Sequence, residues 1–181
     1  MRIMIASDIH GSARWCKLLL ESFEDERADR LLLLGDLLYH GPRNSFPDDY
    51  APQKVLAMLN TLAPSLLCVR GNCDSDVDQM VLKFPILAEY GVLTLGKRLV
   101  YVTHGHTFNT KKHPPLMPGD ILLHGHTHIP AWDDFGDGNL YLNPGSVSLP
   151  KGDSVHSYMT LEGATFLWKE LGGSVYHRLE A

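Results

Sequence analysis

A short run of the sequence places three histidines at alternate positions. Leu122-Leu123 leads directly into His124-Gly125-His126-Thr127-His128, so an apolar segment ends in a cluster of imidazoles. In an extended chain alternate side chains point the same way, which predicts that His124, His126 and His128 lie on one side. Neutral imidazole is the commonest protein ligand of transition metals, so the run indicates a metal site. A histidine-rich surface turn is the alternative when this segment is considered alone.

Four other apolar runs of the chain also end in groups suited to binding a metal. These groups are Asp8-Ile9-His10, Gly35-Asp36, Gly71-Asn72-Cys73-Asp74 and His104-Gly105-His106. Ligands of open α/β sheets bind outside the carboxyl ends of the strands, so all five strand ends can meet in one crevice. A single such motif is more typical of a turn or a helix cap, whereas the repeated arrangement favours a shared site. The nitrogen and oxygen donors suit Mn²⁺, Fe or Zn²⁺ better than Cu(I).

Hydrophobic patterning predicts the elements that position these groups. The first half alternates between predicted strands and helices, which implies parallel pairing through right-handed crossovers. Strands are predicted over Arg2–Ala6, Arg30–Leu34 and Ser65–Arg70, with helices over Ser12–Arg27 and Pro52–Ala63 and a short helix over Asp74–Lys83. The predicted architecture is a two-sheet β-sandwich flanked by helices, of class α/β, with residues 1–181 as a single domain.

The second half is predicted to consist of short strands. They are expected over Ile86–Tyr90, Val92–Leu95, Arg98–Thr103, Asp120–Leu123, Asn139–Leu142, Val155–Leu161, Thr165–Leu171 and Ser174–Leu179. Gly96-Lys97 and Gly136–Asn139 are predicted hairpin turns. Two long loops, His40–Tyr50 and Thr107–Gly119, interrupt the pattern. His40, Arg43 and Asn44 of the first loop are candidates for shaping a substrate pocket, although loop polarity explains them equally well.

The composition excludes several classes of protein. With a formal net charge of −5, the chain has no broad basic surface, which disfavours binding to nucleic acid or to a membrane. No apolar stretch approaches the length of a membrane span, and the amino terminus runs straight into Asp8. The cysteines Cys16, Cys68 and Cys73 show no CxxC spacing, so a disulfide framework is not expected. A cytoplasmic location is therefore predicted.

In their order along the chain, these motifs resemble those of the calcineurin-like metallophosphoesterases. The resemblance rests on Asp8-Ile9-His10, Gly35-Asp36, Gly71-Asn72, His104-Gly105-His106 and Gly125-His126-Thr127-His128. The short chain and the Cys73-Asp74 variant are similar to the small bacterial and archaeal phosphodiesterase branch, the YfcE type. Asn143-Pro144-Gly145-Ser146 also resembles a late loop of that branch. The resemblance implies a four-layer α/β/β/α sandwich.

The resemblance further implies two adjacent divalent metal ions bridged by the carboxylate of Asp36. Asp8, His10 and His128 would complete one metal site, and Asn72, His104 and His126 would complete the other, listed here as the resemblance assigns them. Manganese is the common activator of this branch and is the expected metal, with Zn²⁺, Fe or Ni²⁺ as alternatives. The implied reaction is hydrolysis of a small phosphodiester by in-line attack of a metal-bridging hydroxide. Asp36, Asn72 and His104 would be its catalytic residues.

Four neighbouring residues are candidates for holding a ligand or contacting substrate. Many members of the superfamily have histidine after Gly-Asn, where it assists the leaving group, but here the residue is Cys73. Because a thiol is a poorer general acid, this change favours substrates with good leaving groups. Asp74 is expected to orient a ligand imidazole. His106 and His124 are candidates for contacting the substrate phosphate.

Other interpretations predict different behaviour. The metallo-β-lactamase fold expects His-x-His-x-Asp-His, but Ile129-Pro130 follows His128, which argues against that fold. A scaffold role, as in the retromer subunit of the same fold, predicts little catalysis and a large exposed apolar patch. A closed structural metal site rarely needs so many nitrogen and oxygen ligands. Edges of the short C-terminal strands could pair across a homo-oligomer.

Overall fold

The computed structural model describes residues 1–181, which form two β-sheets stacked face to face and three α-helices. The helices are α1 (Ala13–Asp25), α2 (Pro52–Thr61) and α3 (Asp76–Val81). The strands are β1 (Arg2–Ala6), β2 (Arg30–Leu33), β3 (Leu66–Cys68), β4 (Gly91–Leu95), β5 (Arg98–Thr103), β6 (Ile121–His124), β7 (Ala131–Asp134), β8 (Leu140–Asn143), β9 (Ser157–Glu162), β10 (Thr165–Glu170) and β11 (Val175–Glu180). None of the helices combines the length and the apolar character that crossing a membrane requires.

The first sheet has six strands in the order β11-β10-β9-β1-β2-β3. Its β1, β2 and β3 are parallel, as the alternation of strands and helices predicts, with Met4 opposite Leu31 and Leu32 opposite Leu67. The crossover helix α1 begins where predicted, because the Ser12 side chain accepts a hydrogen bond from a backbone N–H of the first turn. The later strands β9, β10 and β11 add to the sheet in antiparallel fashion.

The second sheet has five strands in the order β4-β5-β6-β8-β7. Its strands β4 and β5 form the hairpin predicted at Gly96-Lys97, and Gly96 has the positive φ of +60° that this turn requires. Strand β7 was not predicted, because Ala131–Asp134 is an exposed edge segment without alternating hydrophobicity. It pairs with β8 across the predicted turn at Gly136–Asn139.

The strand predicted over Ile86–Tyr90 is wrong. The Gln79 side chain accepts a hydrogen bond from the Ile86 N–H and donates one to the Phe84 carbonyl. These main-chain groups therefore bond to a side chain of α3 instead of to a neighbouring strand. Phe84 and Ile86 bury their side chains in the core beneath the helices.

Two apolar cores hold the layers together. Along β1, alternate side chains point to opposite faces, so Ile5 enters the core between the sheets and Met4 enters the core beneath the helices. The core beneath the helices also contains Leu19 of α1 and Leu59 of α2. The α3 segment joins the same side through Asn60, whose side chain bonds to the backbone of residues 81 and 83. The helices α1 and α2 therefore pack through this core against the six-stranded sheet.

The two sheets place their carboxyl-terminal strand ends beside one another. The backbone N–H of Asp8, just after β1, donates to the carbonyl of Gly35, just after β2. His104, immediately after β5 of the other sheet, bonds through Nδ1 to the carbonyl of Leu34 at 2.6 Å. This end of the sandwich therefore collects the polar groups that follow the buried strands.

Candidate metal centre

Asp8, His10 and His128 form one compact, buried group. The Nε2 atoms of His10 and His128 lie 3.5 Å and 3.2 Å from Oδ1 of Asp8. The same two Nε2 atoms are 3.3 Å apart. Three donor atoms at these separations can close on a single cation with small movements.

A second group lies beside it and contains Asn72, His104 and His126. Nε2 of His104 is 3.1 Å from Oδ1 of Asn72 and 3.1 Å from Nδ1 of His126. The group combines one amide oxygen with two imidazole nitrogens, which is a donor set for a borderline or hard divalent metal.

Asp36 stands between the two groups. Its Oδ2 atom is 3.6 Å from Nε2 of His10 and 3.4 Å from Nε2 of His104. Its other oxygen, Oδ1, accepts the backbone N–H of Cys73 at 2.8 Å, which fixes the orientation of the carboxylate. One carboxylate oxygen therefore faces both donor groups, as a bridging ligand must.

The donor atoms of these groups fit divalent cations. Oδ1 of Asp8 is buried and has no hydrogen-bond partner, which is costly for a carboxylate oxygen unless a cation satisfies it. Nδ1 of His10, His104 and His128 each lies within hydrogen-bond distance of a backbone carbonyl. Protons on these Nδ1 atoms leave each Nε2 lone pair directed at the centre, an arrangement typical of metal-bound histidine. His126 differs, because its Nδ1 faces the centre.

Backbone strain is concentrated at the same residues. Five of the nine non-glycine residues with positive φ belong to the two groups or bridge them, and they are Asp8, His10, Asp36, His126 and His128, with φ between 49° and 64°. This left-handed region is unfavourable for most residues and persists only where the surroundings impose it. The concentration makes the strand ends a candidate functional site.

Loops that sequence reasoning did not assign hold the donor residues in place. The hydroxyls of Ser146 and Ser148 donate to the carbonyl of Asp8 at 3.0 Å and 3.1 Å. The carbonyl of Leu149 receives the hydrogen bond from His128. The resemblance of Asn143–Ser146 to a family loop was the only signal pointing to this segment, and backbone carbonyls leave no trace in a sequence.

Asp74 does not orient an imidazole. Its Oδ2 accepts the N–H groups of Asp36 and Gly71 at 2.8 Å and 2.7 Å, and its Oδ1 accepts that of Leu37 at 2.9 Å. The buried carboxylate therefore joins the loop after β2 to the loop after β3. Any effect of Asp74 on the centre is exerted through the backbone of Asp36, the candidate bridging residue.

His124 borders a side cavity with His126 but lies away from the cleft that His126 and His128 line, so the expectation that all three imidazoles share one side is wrong. His124 still belongs to β6, where it faces away from the core between the sheets and stacks on Tyr141 with 4.4 Å between ring centroids. The chain leaves the strand at Gly125, and the positive φ values of His126 and His128 redirect the later imidazoles. Alternation therefore ends where the strand ends.

His106 and Cys73 lie at the margin of the centre. The ring of His106 is exposed, and its centroid is 5.4 Å from that of His104. Both His106 and His124 border a side cavity of about 300 Å³ with Asn109–Lys111 of the second long loop. The Cys73 thiol lies near the donor atoms of His10 and Asp36. Burial and the charge of Asp36 raise the pKa of Cys73 well above its ordinary value, so the thiol stays protonated.

The centre without cations has a distinct charge state. Burial lowers the pKa of His104, but its hydrogen bond to Asp36 and the charge of Asp8 raise it more strongly, to about 9. The pKa of Asp36 is lowered, because His104 outweighs the effect of burial. Burial and the charge of His104 lower the pKa of His126 to about 4, which keeps this imidazole neutral. His104 of the metal-free protein is therefore expected to be protonated at neutral pH.

Metal binding to the metal-free protein is expected to release about one proton from His104 at pH 7.5, because Nε2 must be deprotonated to bind a metal. The release should fall towards zero above about pH 10. Calorimetric titrations in buffers of different ionisation enthalpy measure it, with His156→Gln as a control outside the centre. Binding heats that are independent of the buffer at pH 7.5 would contradict the assigned charge state.

In the metal-free protein, the contribution of the His104–Asp36 ion pair to the free energy of unfolding should be complete below pH 6.5. It should be lost as the pH rises through about 9.

Gly71 permits the close approach of two loops. A Cβ atom added there would lie 2.1 Å from Oδ1 of Asp36 and 2.3 Å from its backbone nitrogen. Gly71→Ala should therefore displace the bridging carboxylate and lower metal affinity by about 10- to 100-fold. Titration of the metal-free variant by calorimetry measures the loss, and Gly91→Ala, where the nearest atom is 3.8 Å away, is the matched control. Equal affinity in Gly71→Ala and the wild type would show that Asp36 is not held in this way.

A cleft of about 350 Å³ opens above the centre. Its base includes Asp36, Asn72, His126 and His128, and its walls include Arg43 and Asn44 of the first long loop together with Thr127 and Lys151. Arg43 and Asn44 were candidates on the sequence, whereas Lys151 was not. The backbone N–H of Lys151 donates to the carbonyl of His128, a long-range contact that no local motif indicates.

The amino-acid sequence is similar to those of known phosphoesterases. Residues 1–165 match the model of the calcineurin-like phosphoesterase superfamily domain. The chain is 48% identical over 162 residues to phosphodiesterase YfcE of Escherichia coli K12, covering 90% of this chain and 88% of the relative. It is 30% identical over 174 residues to the probable metallophosphoesterase YsnB of Bacillus subtilis, covering 90% of this chain and 85% of that protein.

Solved structures agree. The structure of YfcE, described as a phosphoesterase from E. coli, superposes with a TM-score of 0.94 at 44% identity, covering 99% of both chains. Vps29 of Entamoeba histolytica in complex with Zn²⁺ superposes with a TM-score of 0.62 at 25% identity, again covering 99% of both chains. The predicted two-sheet sandwich with flanking helices is therefore confirmed, and the chain belongs to the calcineurin-like phosphoesterase superfamily.

Proposed function

We propose that this protein is a metal-dependent phosphodiesterase that uses two divalent cations. One observation carries the proposal, namely that Oδ2 of Asp36 lies within 3.6 Å of an imidazole nitrogen in each of two donor groups. A structural site holds one closed coordination sphere, whereas two spheres sharing a carboxylate beneath an open cleft are typical of phosphoester hydrolysis. The 48% identity to phosphodiesterase YfcE supports the same reaction.

The protein's own residues would prepare the cleft for a phosphodiester. Asp8, His10 and His128 would hold one cation, Asn72, His104 and His126 the other, and Asp36 both, as the distances given above support. When bound, the cations would supply an activated water and offset the charge that develops on the phosphoryl oxygens. Asn72 and His126 border the cleft and so lie where a phosphoryl group would sit.

Manganese is the proposed metal. The donor set contains carboxylate and amide oxygens as well as imidazoles, which suits Mn²⁺. Zn²⁺, Fe and Ni²⁺ remain alternatives, since availability in the cell also determines occupancy.

The proposal is tested by hydrolysis of bis(p-nitrophenyl) phosphate and of p-nitrophenyl phosphate after metal removal and re-addition of Mn²⁺, Zn²⁺ or Mg²⁺. Turnover that requires metal and favours the diester supports a phosphodiesterase. A preference for the monoester would reassign the protein as a phosphomonoesterase. No turnover with any metal, in folded protein that binds two ions, would favour the scaffold alternative, and the similarity to Vps29 keeps that alternative open.

Catalysis should depend steeply on the acidity of the leaving group, because Cys73 offers only a weakly acidic thiol where many members of the superfamily have histidine. The slope of log kcat against leaving-group pKa, over substituted aryl methyl phosphates, measures this dependence. Cys73→His is expected to make the slope shallower and to raise the rate with phenol relative to p-nitrophenol by about tenfold. Cys73→Ser, which adds no better acid, is the matched control. An unchanged slope in Cys73→His would remove Cys73 from leaving-group departure.

Four broader predictions stay part of the proposal. All three cysteines are free, which supports a reducing, cytoplasmic location. The strands β3, β4, β7 and β11 are edges of their sheets, which leaves room for a homo-oligomer through edge pairing. Organisation of residues 1–181 as one domain also stays a prediction, and the net charge of −5 continues to disfavour nucleic acid as a partner.

A further inference from the structure

Two positively charged side chains on the walls of the cleft have no acidic partner. Arg43 and Lys151 both border the cleft, and neither forms an ion pair anywhere in the structure. Their side chains are exposed, so their positive charge is directed at solvent and at whatever enters the cleft. A chain with a net charge of −5 nevertheless places unpaired positive charge at this opening.

Acidic residues that could pair with Arg43 are close to it in sequence but form ion pairs with other residues. The first long loop contains two carboxylates, Asp48 and Asp49, within seven residues of Arg43. Asp48 pairs with Arg14 at 3.3 Å and Asp49 pairs with Lys54 at 3.6 Å. Both acidic side chains of the loop therefore form ion pairs with α1 and α2, and the guanidinium of Arg43 has no ion-pair partner.

Backbone contacts place Lys151 at the cleft, and a neighbouring cavity adjoins Arg43. The backbone of Lys151 is tied to the carbonyl of His128 at 3.1 Å, and its own carbonyl accepts the hydroxyl of Ser154 at 2.6 Å. Arg43 lies where the cleft meets a neighbouring cavity of about 360 Å³, since both spaces share Arg43, Asn44 and Asn72. That cavity also contains Tyr39 and gives room for a substituent beyond the phosphoryl group.

We propose that the substrate carries a second anionic group, a carboxylate or a phosphate, on one of its two ester arms, and that Arg43 and Lys151 bind it. A phosphodiester itself has a single negative charge, which the two cations of the metal centre already offset. The two further positive charges on the walls are therefore not needed to offset the charge of a simple diester. Positive side chains on the walls of a cleft attract anionic groups, and a guanidinium binds planar carboxylates and phosphates with two parallel hydrogen bonds.

This inference rests on the proposed function but is tested separately from it. The probes are dialkyl phosphates, whose poor leaving groups slow turnover and which can bind in either orientation. Methyl 2-carboxyethyl phosphate carries the second charge, and methyl 3-methylbutyl phosphate has the same shape without it. Methyl 2-phosphoethyl phosphate replaces the carboxylate by a phosphate. Their dissociation constants are measured by calorimetry with the Mn²⁺-loaded protein and by competition with bis(p-nitrophenyl) phosphate.

The wild type should bind at least one of the two anionic probes about tenfold or more tightly than the isosteric neutral arm. Arg43→Gln and Lys151→Gln should each reduce that ratio several-fold, and the double variant should bring it close to one. Lys97→Gln, at an exposed turn far from the cleft, should leave the ratio unchanged. A preference for only one of the two anionic probes identifies the group as carboxylate or phosphate.

Two results would overturn the inference. A ratio near one in the wild type would mean that the cleft does not recognise a second charge. Equal weakening of the charged and neutral probes in the variants would mean that Arg43 and Lys151 bind the diester phosphoryl group. Both results leave the proposed function intact, because metal-dependent hydrolysis of bis(p-nitrophenyl) phosphate tests that function separately.

Discussion

Asp36→Asn is expected to reduce metal-dependent hydrolysis of an aryl phosphodiester by about 1000-fold or more, equivalent to roughly 4 kcal/mol. The substitution keeps the size of the side chain and its contact with the backbone N–H of Cys73. It removes the negative charge from the oxygen that faces both His10 and His104. A neutral amide bridges two cations poorly, and their mutual repulsion is then no longer offset.

The measurement compares kcat/KM and the number of bound ions in the wild type, in Asp36→Asn and in Asp133→Asn. Asp133 is an exposed residue of the edge strand β7 and serves as the matched control. We expect the control to behave as the wild type and Asp36→Asn to lose at least one of two ions. An Asp36→Asn protein that retains both ions and most of its activity would exclude Asp36 as the bridge.

Asp74→Ala is expected to lower the free energy of unfolding of the metal-free protein by about 3 kcal/mol. The carboxylate accepts three buried N–H groups, and each unsatisfied buried donor costs roughly 1–3 kcal/mol. Burial raises the pKa of Asp74, and its amide hydrogen bonds offset that rise only in part. Removing the carboxylate therefore also relieves a desolvation cost, so the net loss lies at the lower end of the summed range. Against a typical total stability of about 5–15 kcal/mol, the loss is large.

Urea unfolding of the metal-free proteins measures this effect, with Asp78→Ala as the matched control. Asp78 accepts hydrogen bonds from Ser75 in the capping box of α3, and its loss should cost about 1 kcal/mol. Asp74→Ala should also weaken metal binding, because Asp74 holds the backbone of Asp36. A loss no larger than that of Asp78→Ala would mean that water satisfies the three amides.

The candidate metal ligands could be identified from the sequence because each of them follows a buried strand. Runs such as Leu31–Leu34 and Leu99–Val102 predict strands that carry Asp36 and His104 to their carboxyl ends, and the structure brings those ends together. Parallel pairing follows from the alternation of strands and helices in the first half. These inferences depend on periodicity, which is local in the sequence.

What could not be predicted depends on contacts between distant residues. Asp74 binds three amides rather than an imidazole, and nothing in its neighbours distinguishes the two arrangements. The position of Lys151 depends on a backbone bond to His128, and the outward direction of His124 depends on where β6 ends. Strand β7 forms although its residues are exposed, because a hairpin turn brings it to β8. Tertiary context decides each of these cases.

Anomalous diffraction from crystals soaked in Mn²⁺ tests the central claim most directly. The account predicts two manganese peaks about 3.5–4 Å apart. Oδ2 of Asp36 should lie between them, one peak should contact Asp8, His10 and His128, and the other should contact Asn72, His104 and His126. A single peak, or a second peak away from Asp36, would contradict a binuclear centre and with it the proposed phosphodiesterase mechanism.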